Sequence, residues 1–174
     1  MPSILALSGS LRIGSSNLAA LRAARTFHPA LAIYDRLADI PLFNPDIDIE
    51  PASEPVARFR RALASADGFV ISTPEYAHGI PGAFKNALDW IVSSGEFTGK
   101  PVLLINASAS GGAFAQAQLV EILTVMGARV LTEATVTAPF LRKNLDADGN
   151  LSDADLLQTL KTAMAVLVEA CTER

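Results

Sequence analysis

The chain has 174 residues, a hydrophobic fraction of 50% and a formal net charge of −4, which points to one domain over residues 1–174 that buries roughly 70% of its unfolded surface. It has no basic cluster and no apolar run near the ~18 residues of a membrane span, which excludes nucleic acid and membranes as expected partners. The lone Cys171 rules out an internal disulfide, His28 and His78 lie too far apart for a local metal pair, and Met1-Pro2-Ser3 lacks a basic leader, so a metal-free cytoplasmic protein is expected.

Ser3–Leu7 reads as a first strand and Asn17 to about Phe27 as a first helix, repeating on Leu18 and Leu21. Between them runs Ser8-Gly9-Ser10-Leu11-Arg12-Ile13-Gly14-Ser15-Ser16-Asn17, with four serines, one arginine, one asparagine and no acid. Strand, hydroxyl-rich loop and helix start together aim N–H groups at one spot, which suits an anion. Gly9 and Gly14 have P-loop spacing, but Ser15 stands where the lysine belongs, and Leu11 replaces the second glycine of a dinucleotide fingerprint. A single phosphate held by hydroxyls and one arginine fits better. The competing reading is a plain turn whose serines only cap the helix.

Leu31–Tyr34 predicts a second strand. A proline-rich stretch from Ile40 to Pro55 follows, read as a solvated connector; its acids are too spread for a calcium loop. Pro55 suits the first turn of a helix repeating on Val56, Phe59, Leu63 and Ala66. Gly68–Ser72 is a continuous apolar run, as in a central parallel strand. Pro81 opens a helix striped by Phe84, Leu88 and Ile91, with Trp90 in the core or at a subunit contact. Lys85, Asn86 and Asp89 face solvent or brace a neighbour. Pro101–Asn106 is the next buried strand, and Gly112 to Met126 a helix ended by Gly127. Arg129–Leu131 and Ala134–Val136 predict a final strand. Asp148-Gly149 reads as a turn, and Ser152 with Asp155 as a capping box for a last helix on Leu156, Leu160, Ala163, Leu167 and Cys171.

This alternation predicts an α/β fold, a parallel sheet with helices on both faces. Ligands of such sheets sit beyond the strand C-termini, which singles out the loops after strands one, three and four. The loop Thr73–Pro81 is stiffened by two prolines and could present N–H groups to a flat polar heterocycle. Its Glu75 and His78 form an acid–base pair or are merely structural; nothing in the sequence fixes their geometry. In Ala107-Ser108-Ala109-Ser110-Gly111-Gly112 the paired glycines allow close backbone approach to a ligand, or simply make a turn. No residue stands out as a dedicated catalytic acid, base or nucleophile.

The combination of Gly9-Ser10-Leu11-Arg12-x-Gly14-Ser15-x-Asn17 with Pro74-Glu75-Tyr76 and Pro81-Gly82-x-x-Lys85-Asn86-Ala87-Leu88-Asp89-Trp90 resembles the NADPH-dependent FMN reductase family, over nearly the whole chain. The resemblance implies a flavodoxin-like five-stranded parallel sheet in the order 2-1-3-4-5. It implies bound FMN, with NADPH or NADH as donor and a quinone, free flavin or other small electron acceptor. Ser10, Arg12, Ser15, Ser16 and Asn17 would hold the phosphate. Pro74, Glu75, Tyr76 and Ala77 would run along the isoalloxazine ring, largely through backbone, with N–H groups near Tyr76 and Ala77 meeting negative charge on the ring. Ser108, Gly111 and Gly112 would border it. The chemistry would be carried by the flavin, and the protein would be a homodimer or homotetramer. Ala77 departs from the family's usual asparagine, and the fourth-strand loop is short. Rival readings are a flavodoxin-type electron carrier, which the modest charge disfavours, and a non-catalytic flavin-binding module, which Ala77 favours.

Overall fold

The computed structural model describes residues 1–108, 111–139, 141–146 and 151–173. Strands β1 (Ile4–Ser8), β2 (Ala32–Tyr34), β3 (Gly68–Ser72), β4 (Pro101–Asn106) and β5 (Arg129–Val130) form a parallel sheet in the order β2-β1-β3-β4-β5. A short β6 (Val136–Thr137) also pairs with β4. The expected order therefore holds, with one strand more than expected.

Alternation along each strand feeds two cores. Leu5, Leu7, Phe69, Ile71, Val102 and Leu104 face α2 (Glu54–Ala64), α3 (Gly82–Asp89) and α4 (Ala113–Val125), burying Phe59, Phe84, Leu88, Leu119 and Leu123. Ile4, Ala6, Val70, Leu103 and Ile105 face α1 (Ser16–Arg25) and α5 (Ala154–Thr172), burying Leu21, Leu160, Met164 and Leu167. Each fully buried Leu, Ile or Phe contributes about 1.5–3 kcal/mol, so the two clusters hold the helices to the sheet. Trp90 and Cys171 are both core residues.

Three expectations are corrected. The connector between β2 and α2 is anchored: Asn86 accepts from Phe43 N (2.7 Å) and donates to Pro41 O (2.8 Å), while Trp90 Nε1 donates to the same carbonyl (2.8 Å). Asp48 in that segment also pairs with Arg60 at 2.8 Å, both side chains largely buried. The predicted final strand is split into β5 and β6 by a helical turn at Thr132–Ala134, whose Thr132 and Glu133 are exposed. The cap of α5 is Asp153, which accepts from Leu156 N at 3.0 Å, because Ser152 spends both its amide and its hydroxyl on Asn144 O. The predicted turn at Asp148-Gly149 lies outside the described residues, as do Ala109 and Ser110.

Candidate functional site

The register brings the three loops together. Ser8 pairs with Ser72, and Gly9 N donates to Ser72 O at 2.9 Å, so β1 and β3 end at the same level. β2 lies on one side of β1 and β3 on the other, making this the place where strand order reverses and a crevice opens. Gly9 is required there: a Cβ would lie 2.1 Å from Thr73 Oγ1 and 2.6 Å from Thr73 Cβ.

In the first loop the hydroxyls divide their duties. Ser15 is the N-cap of α1, its Oγ accepting from Asn17 N (3.2 Å) and Leu18 N (3.4 Å). The capping reading is therefore right for Ser15, yet its hydroxyl proton has no acceptor among the described residues. Asn17 is buried and accepts from Ser72 Oγ at 2.9 Å, which ties α1 to β3 behind the loop. Ser10 accepts from Arg12 N at 3.3 Å. The Ser16 side chain and the exposed Arg12 guanidinium make no hydrogen bond among the described residues. Ser8, Ser10 and Arg12 line a cleft of about 210 Å³. A larger hollow of about 430 Å³ lies against α5 and contains none of the predicted site residues.

The second loop is a tight turn. Tyr76 N donates to Gly79 O (2.9 Å) and Gly79 N to Tyr76 O (3.0 Å), with Ala77 at φ 49° and His78 at φ 61°. Two positive φ values in a row define a type I′ turn, which favours Asn-Gly and strains Ala-His. The Tyr76 amide is thereby spent within the turn, which leaves its neighbours as the loop's open donors. The amides of Ala77 and His78 carry no hydrogen bond among the described residues.

Glu75 and His78 are not an acid–base pair. Glu75 Oε2 accepts from Ala115 N of α4 at 3.0 Å, and the His78 ring stacks on Phe114 with centroids 4.2 Å apart. Gln118 Oε1 accepts from Ile80 N at 2.7 Å. Phe114 and Gln118 were missed in the sequence. Their signal is faint: two residues one helical turn apart, on a helix that also carries Gln116, Glu121 and Thr124.

In the third loop Asn106, buried at the end of β4, donates to Gly111 O (2.6 Å) and accepts from Ser108 N (3.1 Å). Gly112 has φ +56°, and a Cβ there would meet Ser108 Cβ at 2.8 Å. Ser108, Gly111 and Gly112 thus lie beside α4's first turn, next to the Glu75 carboxylate. Pro74 leads out of β3 into the same region.

A doubly covered parallel sheet in this strand order, with its loops gathered at the switch point, defines a flavodoxin-like α/β protein. Sequence comparison narrows the class. The chain belongs to the NADPH-dependent FMN reductase family, whose sequence model matches residues 2–142. It is 36% identical to an NAD(P)H-dependent FMN reductase of Pseudomonas aeruginosa over 94% of this chain and 92% of that protein. It is 34% identical to a quinone reductase of Escherichia coli K12 over 90% of this chain and 88% of that one. Among solved structures, FerB, a flavoenzyme NAD(P)H:(acceptor) oxidoreductase from Paracoccus denitrificans, superposes with a TM-score of 0.88 at 26% identity, covering 98% of this chain and 97% of that one.

Proposed function

We propose that this chain is an FMN-dependent NAD(P)H oxidoreductase that moves reducing equivalents from NADPH or NADH to a quinone, free flavin or other small acceptor. The observation that carries this reading is the convergence, at one end of the sheet, of three loops with complementary chemistry in a chain of this family.

The residues present fit FMN. The first loop offers hydroxyls of Ser10, Ser15 and Ser16 and the exposed Arg12 guanidinium, a donor set for one phosphate monoester, at the N-terminus of α1. Asn17 braces that loop from behind through Ser72. The second loop offers the unbonded amides of Ala77 and His78, with Pro74, Glu75 and Tyr76 shaping the backbone. The third offers the bare backbone of Gly111 and Gly112 beside Ser108. When bound, FMN supplies the electron-transfer chemistry, which explains why no catalytic acid, base or nucleophile is needed. The chain's own part is to fix the ring by its edges, keep one face open for donor and acceptor in turn, and meet negative charge with pre-set N–H dipoles.

The same reading places the protein in the cytoplasm, working as one domain over residues 1–174 and as a homodimer or homotetramer. No helix among the described residues is long and apolar enough to cross a membrane. Assembly is supported by α4, which carries apolar residues on its outer side as well: Phe114 is 57% and Val125 76% exposed, with Val92 near Val125 at 65%. Large apolar side chains left exposed on a helix whose other side is already in the core are what a subunit contact would cover.

The test is NADPH oxidation by the FMN-loaded protein with excess quinone. Many turnovers per flavin are expected, with rapid flavin bleaching by NADPH alone. A protein that holds FMN yet reacts with NADPH only very slowly, as an electron carrier would, contradicts the proposal.

A further inference from the structure

The two loops assigned to the flavin ring are cross-linked in both directions. Helix α4 starts at Gly112, which has no side chain to cap it and whose φ of +56° and crowding against Ser108 leave no room for one. The missing cap comes from the other loop, because the Glu75 carboxylate accepts from Ala115 N at 3.0 Å, in the first turn of α4. A carboxylate there satisfies an orphan N–H and sits at the positive end of the helix dipole. The return bond runs from α4 to the other side of the same loop: Gln118 Oε1 accepts from Ile80 N at 2.7 Å. Gly79 lets Gln118 approach, since a Cβ there would lie 3.1 Å from its Oε1. Between the two bonds the His78 ring lies on Phe114 at 4.2 Å, tilted by 21°.

What these contacts enclose is the Ala77–His78 turn. Both residues are left-handed without being glycine, a conformation that persists only where the surroundings over-determine it. The turn's own hydrogen bonds, between Tyr76 and Gly79, extend into no further ladder. Glu75 and Ile80 are therefore the anchor points on either side of a strained turn, and both are held by α4.

We propose that Glu75 and Gln118 are positioning residues for the flavin: a reciprocal clamp between the β3–α3 loop and α4 that holds the free Ala77 and His78 amides in place. This inference rests on the FMN reading above. Neither side chain touches the ring; each acts through backbone. The clamp also couples the second and third loops, so that ordering one orders the other.

The experiment compares the full wild-type chain with three variants, Gln118→Ala, Glu75→Ala and Glu75→Gln, with FMN as the probe. Amide hydrogen exchange is read on the protein without FMN. Faster exchange of Ile80 in Gln118→Ala and of Ala115 in Glu75→Ala, each by about tenfold or more, is expected for a lost hydrogen bond of about 1.4 kcal/mol. FMN titration should then show Kd raised about tenfold in both alanine variants. Glu75→Gln, which keeps an acceptor oxygen, should stay within about threefold of wild type. Because the freed amides serve the more negative ring best, reduced FMN should lose about tenfold more affinity than oxidised FMN, lowering the two-electron potential by about 30 mV. Lost amide protection with FMN affinity and potential unchanged overturns the proposal, leaving a purely structural contact. Unchanged protection also overturns it, since no clamp then exists. A wild-type protein that binds no FMN overturns the flavin reading itself and this inference with it; variants that bind as well as wild type overturn this inference alone.

Discussion

Replacing Ala77 should stabilise the protein, an unusual direction for a residue in a loop proposed to meet a ligand. Ala77 has φ 49° and is exposed, so its methyl group sits in the left-handed region without packing in return. Left-handed backbone disfavours a non-glycine residue by roughly 1–2 kcal/mol. Ala77→Gly removes that strain but gives the unfolded chain more freedom, worth about 0.4–1 kcal/mol against folding. The difference leaves about 0.5–1 kcal/mol. Ala77→Asn should gain a similar amount by a different route, since asparagine tolerates this region and adds no backbone freedom to the unfolded state. For a chain of this length each kcal/mol moves Tm by about 2–4 °C, so rises of about 1–4 °C are expected. The assay is thermal unfolding by circular dichroism, with Ala117→Gly as control. Ala117 is an exposed residue inside α4, where glycine should be unfavourable by about 1 kcal/mol. If Ala77→Gly and Ala77→Asn lower Tm as the control does, the turn is not left-handed and Glu75 and Gln118 have no strained turn to hold.

Three further outcomes follow from single contacts. Arg60 donates to Asp48 at 2.8 Å and to Trp90 O at 2.6 Å, with both charged side chains mostly buried; Arg60→Ala should therefore lose about 2–3 kcal/mol in urea unfolding at neutral pH. The Arg60 and Ser93 hydrogen bonds hold the Asp48 carboxyl below its ordinary value of 3.8, so its contribution is present above that pH and lost as pH falls through the lowered value. In Arg60→Ala that acid-side decline should be shallower, and an unchanged slope would remove Asp48 from the account. Gly9→Ala places a methyl group 2.1 Å from Thr73 Oγ1, so about 1–3 kcal/mol of stability should be lost, with partial recovery in Gly9→Ala/Thr73→Gly; equal stability of single and double variants would show that the strain is elsewhere. Arg12→Ala should leave Tm unchanged, because the side chain is exposed and has no partner among the described residues, but weaken FMN about tenfold or more while leaving riboflavin binding alone. Parallel losses for both flavins would mean that Arg12 does not read the phosphate.

The sheet was legible because each central strand is an apolar run closed by one polar residue, and because α1, α2, α3 and α5 keep an apolar stripe. The strand order came from the family resemblance, since hydrophobic periodicity carries no information about lateral neighbours. The three loops were placed by the same alternation. Their internal wiring was not legible. Glu75 bonds to an amide forty residues away, and a backbone donor leaves no mark in a sequence. The Ala77–His78 turn was hidden for the opposite reason: the residues that usually announce a type I′ turn, Asn-Gly, are absent. Asn86 could be placed on its helix, but not that it would hold Pro41 and Phe43 of a connector taken for solvated. At Ser152 the capping pattern was real but one residue early, because the hydroxyl found a tertiary carbonyl instead.

The central claim, that the Ser10–Asn17 loop is the phosphate end of a flavin site completed by the other two loops, is tested most directly by titrating the purified chain with FMN and with riboflavin, followed by flavin absorbance. One FMN per chain is expected, with a dissociation constant at least tenfold lower for FMN than for riboflavin and loss of that preference in Arg12→Ala. Equal affinity for the two flavins, or no flavin bound, would contradict it.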